Sequence, residues 1–535
     1  MFRQQTTRRT FLGASLGANA LSGLAACAAN PSTPQQNASG RILPTDPLVA
    51  EYEKRRAASG ATVSKNLSAA PFNTTLDGTN LTTWGYDGNL NGPLLRAKVG
   101  DQLKVAVNNG LPQETSVHWH GLALRNNADG VQGLTQDPIP AGNSYTYDFR
   151  LSHPGTYWYH SHFDTQRERA LYGALIIEDP NETLKYDDEW VVILDDWLDG
   201  ITGTPDEVYQ EISRGMNMSG GMGNSGSMSG MDHGSMGGMD HGNMSSSAPS
   251  SDSSNMPMKH MLMGATSEYL GGDAGDVKIP VHLFNGRTAM DPDTFKSSAG
   301  KRIRLRLINA AGDTAYRVGI PGQKFTITHT DGFPVKHQEA DAVVLGMGER
   351  LDVLVTVGDQ PLPVLALPEG KTGHAFGVIA SGSKEKFGGT LPTSLGGTVL
   401  DGSKLKADES VLLAPKEPTR KHELHLTGSM MKYDWGINGK RFNMDNPYDG
   451  AFDIKLGERV RVSIINDTEM WHPMHLHGHT FQLANNGARK DTVIVKPKET
   501  VVFDFEADNP GQWLTHCHNA YHAEAGMMGV FSYIQ

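Results

Sequence analysis

Apolar and polar positions alternate along this chain in one pattern that returns three times. Leu103, Val105 and Val107 alternate with polar residues after Gly100; Ile303, Leu305 and Leu307 follow Gly300 in the same way, and Val460, Val462 and Ile464 follow Gly457. A period of two, entered through glycine and closed by asparagine, predicts a half-buried β-strand that begins at a turn. The preceding words repeat as well, WGYDGNLNG before the first copy, LFNGRTA before the second and WGINGKRF before the third. Copies spaced by roughly 150 to 200 residues predict three similar β-sandwich domains rather than one large one. They are placed at residues 61–180, 181–400 and 401–535, and the fold class is all-β. A length of 535 residues agrees, being too long for a single compact core.

Charge and the N-terminus add the setting. A net charge of −12 works against a nucleic-acid partner, because an acidic surface repels a phosphate backbone. Thr7-Arg8-Arg9-Thr10-Phe11-Leu12, ahead of a stretch of small residues, resembles a twin-arginine export signal. Leu24-Ala25-Ala26-Cys27 resembles a bacterial lipobox, in which the cysteine is lipidated; ordinary signal cleavage near the same alanines is the alternative. Residues 1–27 are thus read as a signal and 28–60, rich in Pro, Ser, Asn and Gln, as a flexible tether of low burial capacity. An exported protein is expected, periplasmic or in the cell envelope, with Cys27 as the point of any lipid anchor. Oligomeric state is left open.

The chemistry gathers around NPGQWLTHCHNAYHAEAGMM, residues 509–528, which sets His516, Cys517 and His518 in a row, with His522 five and Met527 ten residues after the cysteine. Two His, one Cys and a weak axial Met make the trigonal site of blue copper. A strand turns His516 and His518 to one face and Cys517 to the other, so one segment can serve two metal sites. Three further clusters supply more imidazoles: HWHG with His118 and His120, YWYHSH with His160 and His162, and HPMHLHGH with His472, His475 and His477.

With these four clusters complete, the chain resembles a multicopper oxidase of the laccase and copper-resistance oxidase type from about residue 61 to its end. The resemblance implies three cupredoxin-like, Greek-key β-sandwich domains and four copper ions, one type 1, one type 2 and two type 3. It assigns His472, Cys517 and His522 to type 1 copper with Met527 axial, and His118 and His475 to type 2. His120, His160 and His518 would hold one type 3 copper, and His162, His477 and His516 the other. HPGTYWYHSH and NPGQWLTHCH align with Ser161 where Cys517 stands, and a hydroxyl is a poor copper ligand beside a thiolate, so the first domain holds no type 1 site of its own. The second domain has Ala315-Tyr316-Arg317-Val318 where the others carry histidines. Eight histidines, four from each terminal domain, must therefore meet between domains one and three. Asp129 resembles the acid near the trinuclear cluster in this family. A second acid commonly follows the last type 1 histidine; here position 523 is Ala, and the acid is Glu524, one place later.

Residues 216–263 hold twelve methionines among Gly, Ser and Asp, with His233 and His241. Such a composition is not expected to pack a core, while thioether sulfur selects Cu(I). The expected reaction is four one-electron oxidations of Cu(I), or of a phenolic or aromatic amine donor, coupled to reduction of O2 to two waters, in the service of copper tolerance. A laccase acting on organic donors or Mn(II), and a copper-sequestering protein without turnover, are the alternatives. Met430, Met431, Met444 and Asp445 are candidates for a Cu(I) docking site.

Overall fold

A computed structural model of the chain describes residues 40–216 and 258–535. Each predicted strand forms at its place: Gln102–Asn109, Arg302–Asn309 and Arg459–Asn466. Each buries the apolar half of its alternation, since Leu103, Val105, Val107, Ile303, Leu305, Leu307, Val460, Val462 and Ile464 are all core residues. The pairing around them also repeats. Each lies parallel to an earlier strand, Thr62–Leu76, Asp188–Trp197 or Arg420–Thr427, and antiparallel to a later one, Ser144–Arg150, Arg350–Thr356 or Thr500–Glu506. The first region carries two four-stranded sheets, the second two six-stranded sheets, and the third one of six strands and one of five.

One departure from the simple alternation concerns the middle copy. Arg304 and Arg306 stand at its polar positions, yet both are buried. Their guanidinium groups pair with Asp352, at 2.6 Å from Arg304 and 3.3 Å from Arg306, and with Glu182 and Glu189, so the polar face is closed by ion pairs instead of water. Arg306 also donates to Thr156 of the first region. A second departure concerns the expected tether. Residues 40–60 are not loose: Pro47–Arg55 is a helix capped by Asp46, Ile42 and Val49 enter the core, and Glu53 accepts from the backbone of Arg150. Asp-Pro is a helix start and two well-placed apolar residues suffice to dock a short one, which the polar average of 28–60 concealed. Residues 1–39, with Arg8, Arg9 and Cys27, lie outside the described residues.

The ends of the methionine-rich stretch also differ from the expected pattern. Met261 is fully buried, and Met216 and Met258 pack against the same core that contains Cys517 and Met527. The backbone of Met216 donates to the carbonyl of Met431, and that of Leu262 to the carbonyl of Asp276. Residues 217–257, including His233 and His241, lie outside the described residues.

Candidate metal centre

The strand Gln512–Cys517 runs directly into the site, and the chain reverses immediately beyond it. Asn519 caps the helix Ala520–Ala525 by accepting from the backbone of Tyr521 and His522; Gly526, in the left-handed region at φ 116°, ends it. The reversal brings Met527 back, so that the Cys517 amide donates to its carbonyl at 3.0 Å. His522 therefore returns over the cysteine after little more than one turn. Cys517 Sγ lies 3.6 Å from His522 Nδ1 and 3.7 Å from His472 Nδ1, and the two nitrogens are 3.0 Å apart. All three side chains, and Met527, are buried. The outer nitrogens are anchored: His472 Nε2 bonds Thr468 Oγ1 at 2.8 Å, and His522 Nε2 donates to Asp276 Oδ2 at 3.0 Å. Fixing the outer nitrogen leaves the inner lone pair aimed at one point, the arrangement that orients metal-bound imidazole. Trp435 covers both rings, at 4.5 Å from His522 and 5.4 Å from His472 between centroids.

On the other face of the same strand, eight imidazoles converge. Val117–His120 pairs with Gly155–Ser161, setting His118 opposite His160, while His472–Leu476 pairs with Gln512–Cys517, setting His475 opposite His516. Ligand atoms lie within 4.8 Å of one another in three sets: His118, His120 and His475; His120, His160 and His518; and His162, His477 and His516. His516 Nε2 and His477 Nε2 are 3.0 Å apart. Here too one nitrogen of most rings is tied back. His118, His160, His475 and His516 donate from Nδ1 to the carbonyls of Asp129, Ser161, Asp491 and Cys517, each at 2.8 Å. His477 donates to Asp129 Oδ2 at 2.9 Å.

The remaining nitrogens test whether a metal fits. His118 Nε2, His120 Nδ1, His160 Nε2, His475 Nε2 and His518 Nε2 are buried and have no hydrogen-bond partner. A buried polar atom without a partner costs about 1–3 kcal/mol, so five of them in one cluster are explained only by an acceptor of lone pairs. Burial first, and the crowding of neighbouring rings second, holds His160, His162, His477 and His516 well below the usual histidine range, and burial, then Arg167, does the same to His518; burial also lowers His120 and His475. Neutral imidazole is the form that coordinates a metal. At His522 burial works the other way from its neighbours, Asp276 above all, and the ring is pushed up to about 10 in the metal-free chain. A metal there must displace a proton.

Two carboxylates carry parts of this framework that the spacing of motifs does not reveal. Asp491 Oδ1 accepts from His120 Nε2 at 3.2 Å, and Arg350 grips the same carboxylate at 2.7 and 2.6 Å. Arg350 and Asp276 both belong to the middle region, so the region without copper motifs supports both sites. Asp129 sits between His118 and His477, as a buried acid beside the cluster. Glu524 is half-buried on the helix after Cys517, and burial, then Asp164, pushes it up to about 8. His479 is not among the converging rings; it bonds Tyr533 at 2.7 Å. Met444 packs in a separate apolar cluster with Val131, Leu134 and Leu514, whereas Met430 borders the core around Cys517 and Met431 is exposed.

A sandwich triplet with one Cys-His-His site backed onto an eight-histidine cluster defines a copper-using oxidoreductase, and the known relatives are of that class. Family models described as multicopper oxidase match residues 70–182, 239–364 and 415–534. The chain is 40% identical to multicopper oxidase MmcO of Mycobacterium tuberculosis over 99% of its own length and 97% of that protein. It is 27% identical to copper resistance protein A of Escherichia coli, covering 88% of this chain and 94% of that one. Among solved structures it is similar to the multicopper oxidase Fet3p, with a TM-score of 0.70 and 19% identity over 88% of this chain and 90% of the other. The laccase of Botrytis aclada gives a TM-score of 0.67 at 23% identity over 90% and 89%. The chain belongs to the multicopper oxidase family. It is accordingly an oxidoreductase whose cofactor is copper and whose electron acceptor, as throughout the family, is O2.

Proposed function

We propose that the protein is an exported cuprous oxidase of copper tolerance that binds four copper ions. His472, Cys517 and His522, with Met527, would hold type 1 copper; His118 and His475 type 2; His120, His160 and His518 one type 3 copper, and His162, His477 and His516 the other. Copper bound there would take electrons singly and pass them to O2 in fours. The chain's own part is to position and insulate. Cys517 lies between His516 and His518 in sequence, so one covalent segment links the two sites, while Asp129 orients His118 and His477. Glu524, protonated up to about pH 8, supports a role as a proton donor.

One observation favours Cu(I) over a phenol. His522 is wholly buried, and its outer nitrogen meets the Asp276 carboxylate rather than open space. Tyr433 donates to the same oxygen at 2.6 Å. Among the described residues the ring edge that a phenol would approach is thus closed, while Met216, Met258, Met261 and Met430 belong to or border the same core as Cys517 and offer thioether donors of the kind that select Cu(I). The relative named for copper resistance supports the same reading. Removing residues 217–257 behind a short Gly/Ser bridge tests it. Cu(I) oxidation at low copper should weaken while phenol oxidation stays equal or rises; equal loss of both activities would refute the assignment of donor. Export is tested by replacing Arg8 and Arg9 with Lys, which should retain the chain in the cytoplasm, and anchoring by lipid labelling of a Cys27→Ala variant.

A further inference from the structure

Reducing O2 to two waters consumes four protons as well as four electrons, and the eight-histidine cavity is closed from solvent on nearly every side: only His162 among its rings is incompletely buried. The protein must therefore carry acids at its wall. Asp129 is committed to two histidines, and Glu524 stands half-buried beyond Arg167. A third carboxyl, buried on the turn that also carries Arg167, meets the requirement and leaves one oxygen without a hydrogen-bond partner.

Glu168 closes the short turn Gln166–Glu168 that comes after the strand of His160. It is buried, and its Oε1 has no hydrogen-bond partner. The carboxyl lies flat on Gly312: a Cβ at that glycine would fall 1.7 Å from Oε1 and 2.0 Å from Oε2. The Gly312 carbonyl in turn accepts from the amide of Ala520, two residues after His518. The preceding residue, Arg167, donates from Nη2 to the His518 carbonyl at 2.8 Å, and its Nη1 lies 3.3 Å from His518 Nδ1. Glu168 thus sits one turn residue and one peptide away from the ligand stretch, inside the interface of all three regions.

We propose that Glu168 is a carboxylic acid that supplies protons to the eight-histidine cavity. The proposal rests on the oxidase reading above. In each delivery the O–H bond of the acid breaks, its proton passes to the oxygen being reduced, the electrons come from the donor by way of the cysteine site, and the carboxylate left behind takes a proton from solvent. Its surroundings suit that cycle. Asp196 faces it from the strand Asp188–Trp197, Asp313 from the turn after Arg302–Asn309, and Tyr521 from the helix after Cys517, with Arg167 on its own turn and Lys371 neutralising Asp313 at 2.6 Å. Burial first, then Asp196, holds the carboxyl well above the usual carboxylate range and so favours its protonated form, while Arg167 favours the anion once the proton has gone.

The test uses the copper-loaded, full-length protein and its Glu168→Gln variant. The variant should keep the blue band, its copper content and the parent rate of anaerobic reduction by Cu(I), but reoxidation by O2 should slow by on the order of a hundredfold with a larger solvent isotope effect. Infrared spectra of the metal-free parent at pH 7 should show a protonated carboxyl that the variant lacks. Should Glu168→Gln fail to fold, Gly312→Ala displaces the carboxyl without removing it, and the same slowing is expected. Parent-like reoxidation in a folded variant, or an ionised Glu168 in the metal-free protein, overturns the proposal. A parent protein that shows no blue band or no O2 consumption overturns the oxidase reading instead, so the two failures are distinguishable.

Discussion

Replacing Arg350 with Met should weaken copper binding at the eight-histidine site and lower stability at once. The guanidinium is fully buried and donates to both oxygens of Asp491, to the Thr156 carbonyl at 3.1 Å and to the Gly348 carbonyl at 3.2 Å. Asp491 is buried as well; burial opposes its charge, but Arg350 outweighs that and holds it well below the usual carboxylate range. Methionine fills much of the same volume and cannot pair, so a buried anion is stranded. Breaking a buried pair from one side costs about 3–5 kcal/mol, measurable as a lower denaturant midpoint. The freed carboxylate also stops holding His120 in place, and loss of such an outer partner typically costs about 10–100-fold in metal affinity. Copper loss should therefore appear in the type 2 and type 3 signals, with the blue band kept, because none of the groups around Cys517 touches Arg350. Adding Asp491→Asn should restore most of the stability, since no charge is then stranded, yet leave copper affinity low. A single variant within about 1 kcal/mol of the parent, or one that loses the blue band first, would falsify the reasoning.

Cys517→Ser should abolish the intense blue absorption and substrate oxidation while a type 2 signal survives; retention of the band sinks the ligand assignment. Met527→Leu should raise the potential of type 1 copper, because loss of an axial sulfur disfavours Cu(II), and an unchanged or lower value in redox titration counts against Met527. Asp276→Asn should raise the same potential, since a nearby anion stabilises the more charged oxidised ion; a fall would contradict the contact with His522. His282, which bonds Tyr316 and is no copper ligand, is lowered to about 4 by burial. Its unfolded form binds a proton below about pH 6.5 while the folded form does not, so its contribution is present above that value and is lost as pH falls toward 4. Unfolding midpoints of His282→Gln should accordingly fall less steeply over that window than those of the parent.

What the sequence by itself determined is whatever repeats within a few residues. Alternation at Leu103, Val105 and Val107 and its two later copies declares strands, because the side-chain period of a strand is local. His516, Cys517 and His518 declare two back-to-back sites for the same reason, and the other three clusters declare how many imidazoles must converge. Tertiary structure decided which residues hold those imidazoles. His522 meets Asp276 across 246 positions, Arg350 meets Asp491 across 141 and His120 meets Asp491 across 371. Nothing in KDT or GDV marks them, since an aspartate in a turn and one beneath a metal ligand are the same letter. The same holds for Arg304 and Arg306, written as exposed positions of an amphipathic strand yet buried against Asp352, Glu182 and Glu189, and for Ile42 and Val49, two apolar residues in a polar stretch that dock a helix. Periodicity reports which side of an element faces inward; only packing of one element against another sets what a buried charge or imidazole nitrogen will find there.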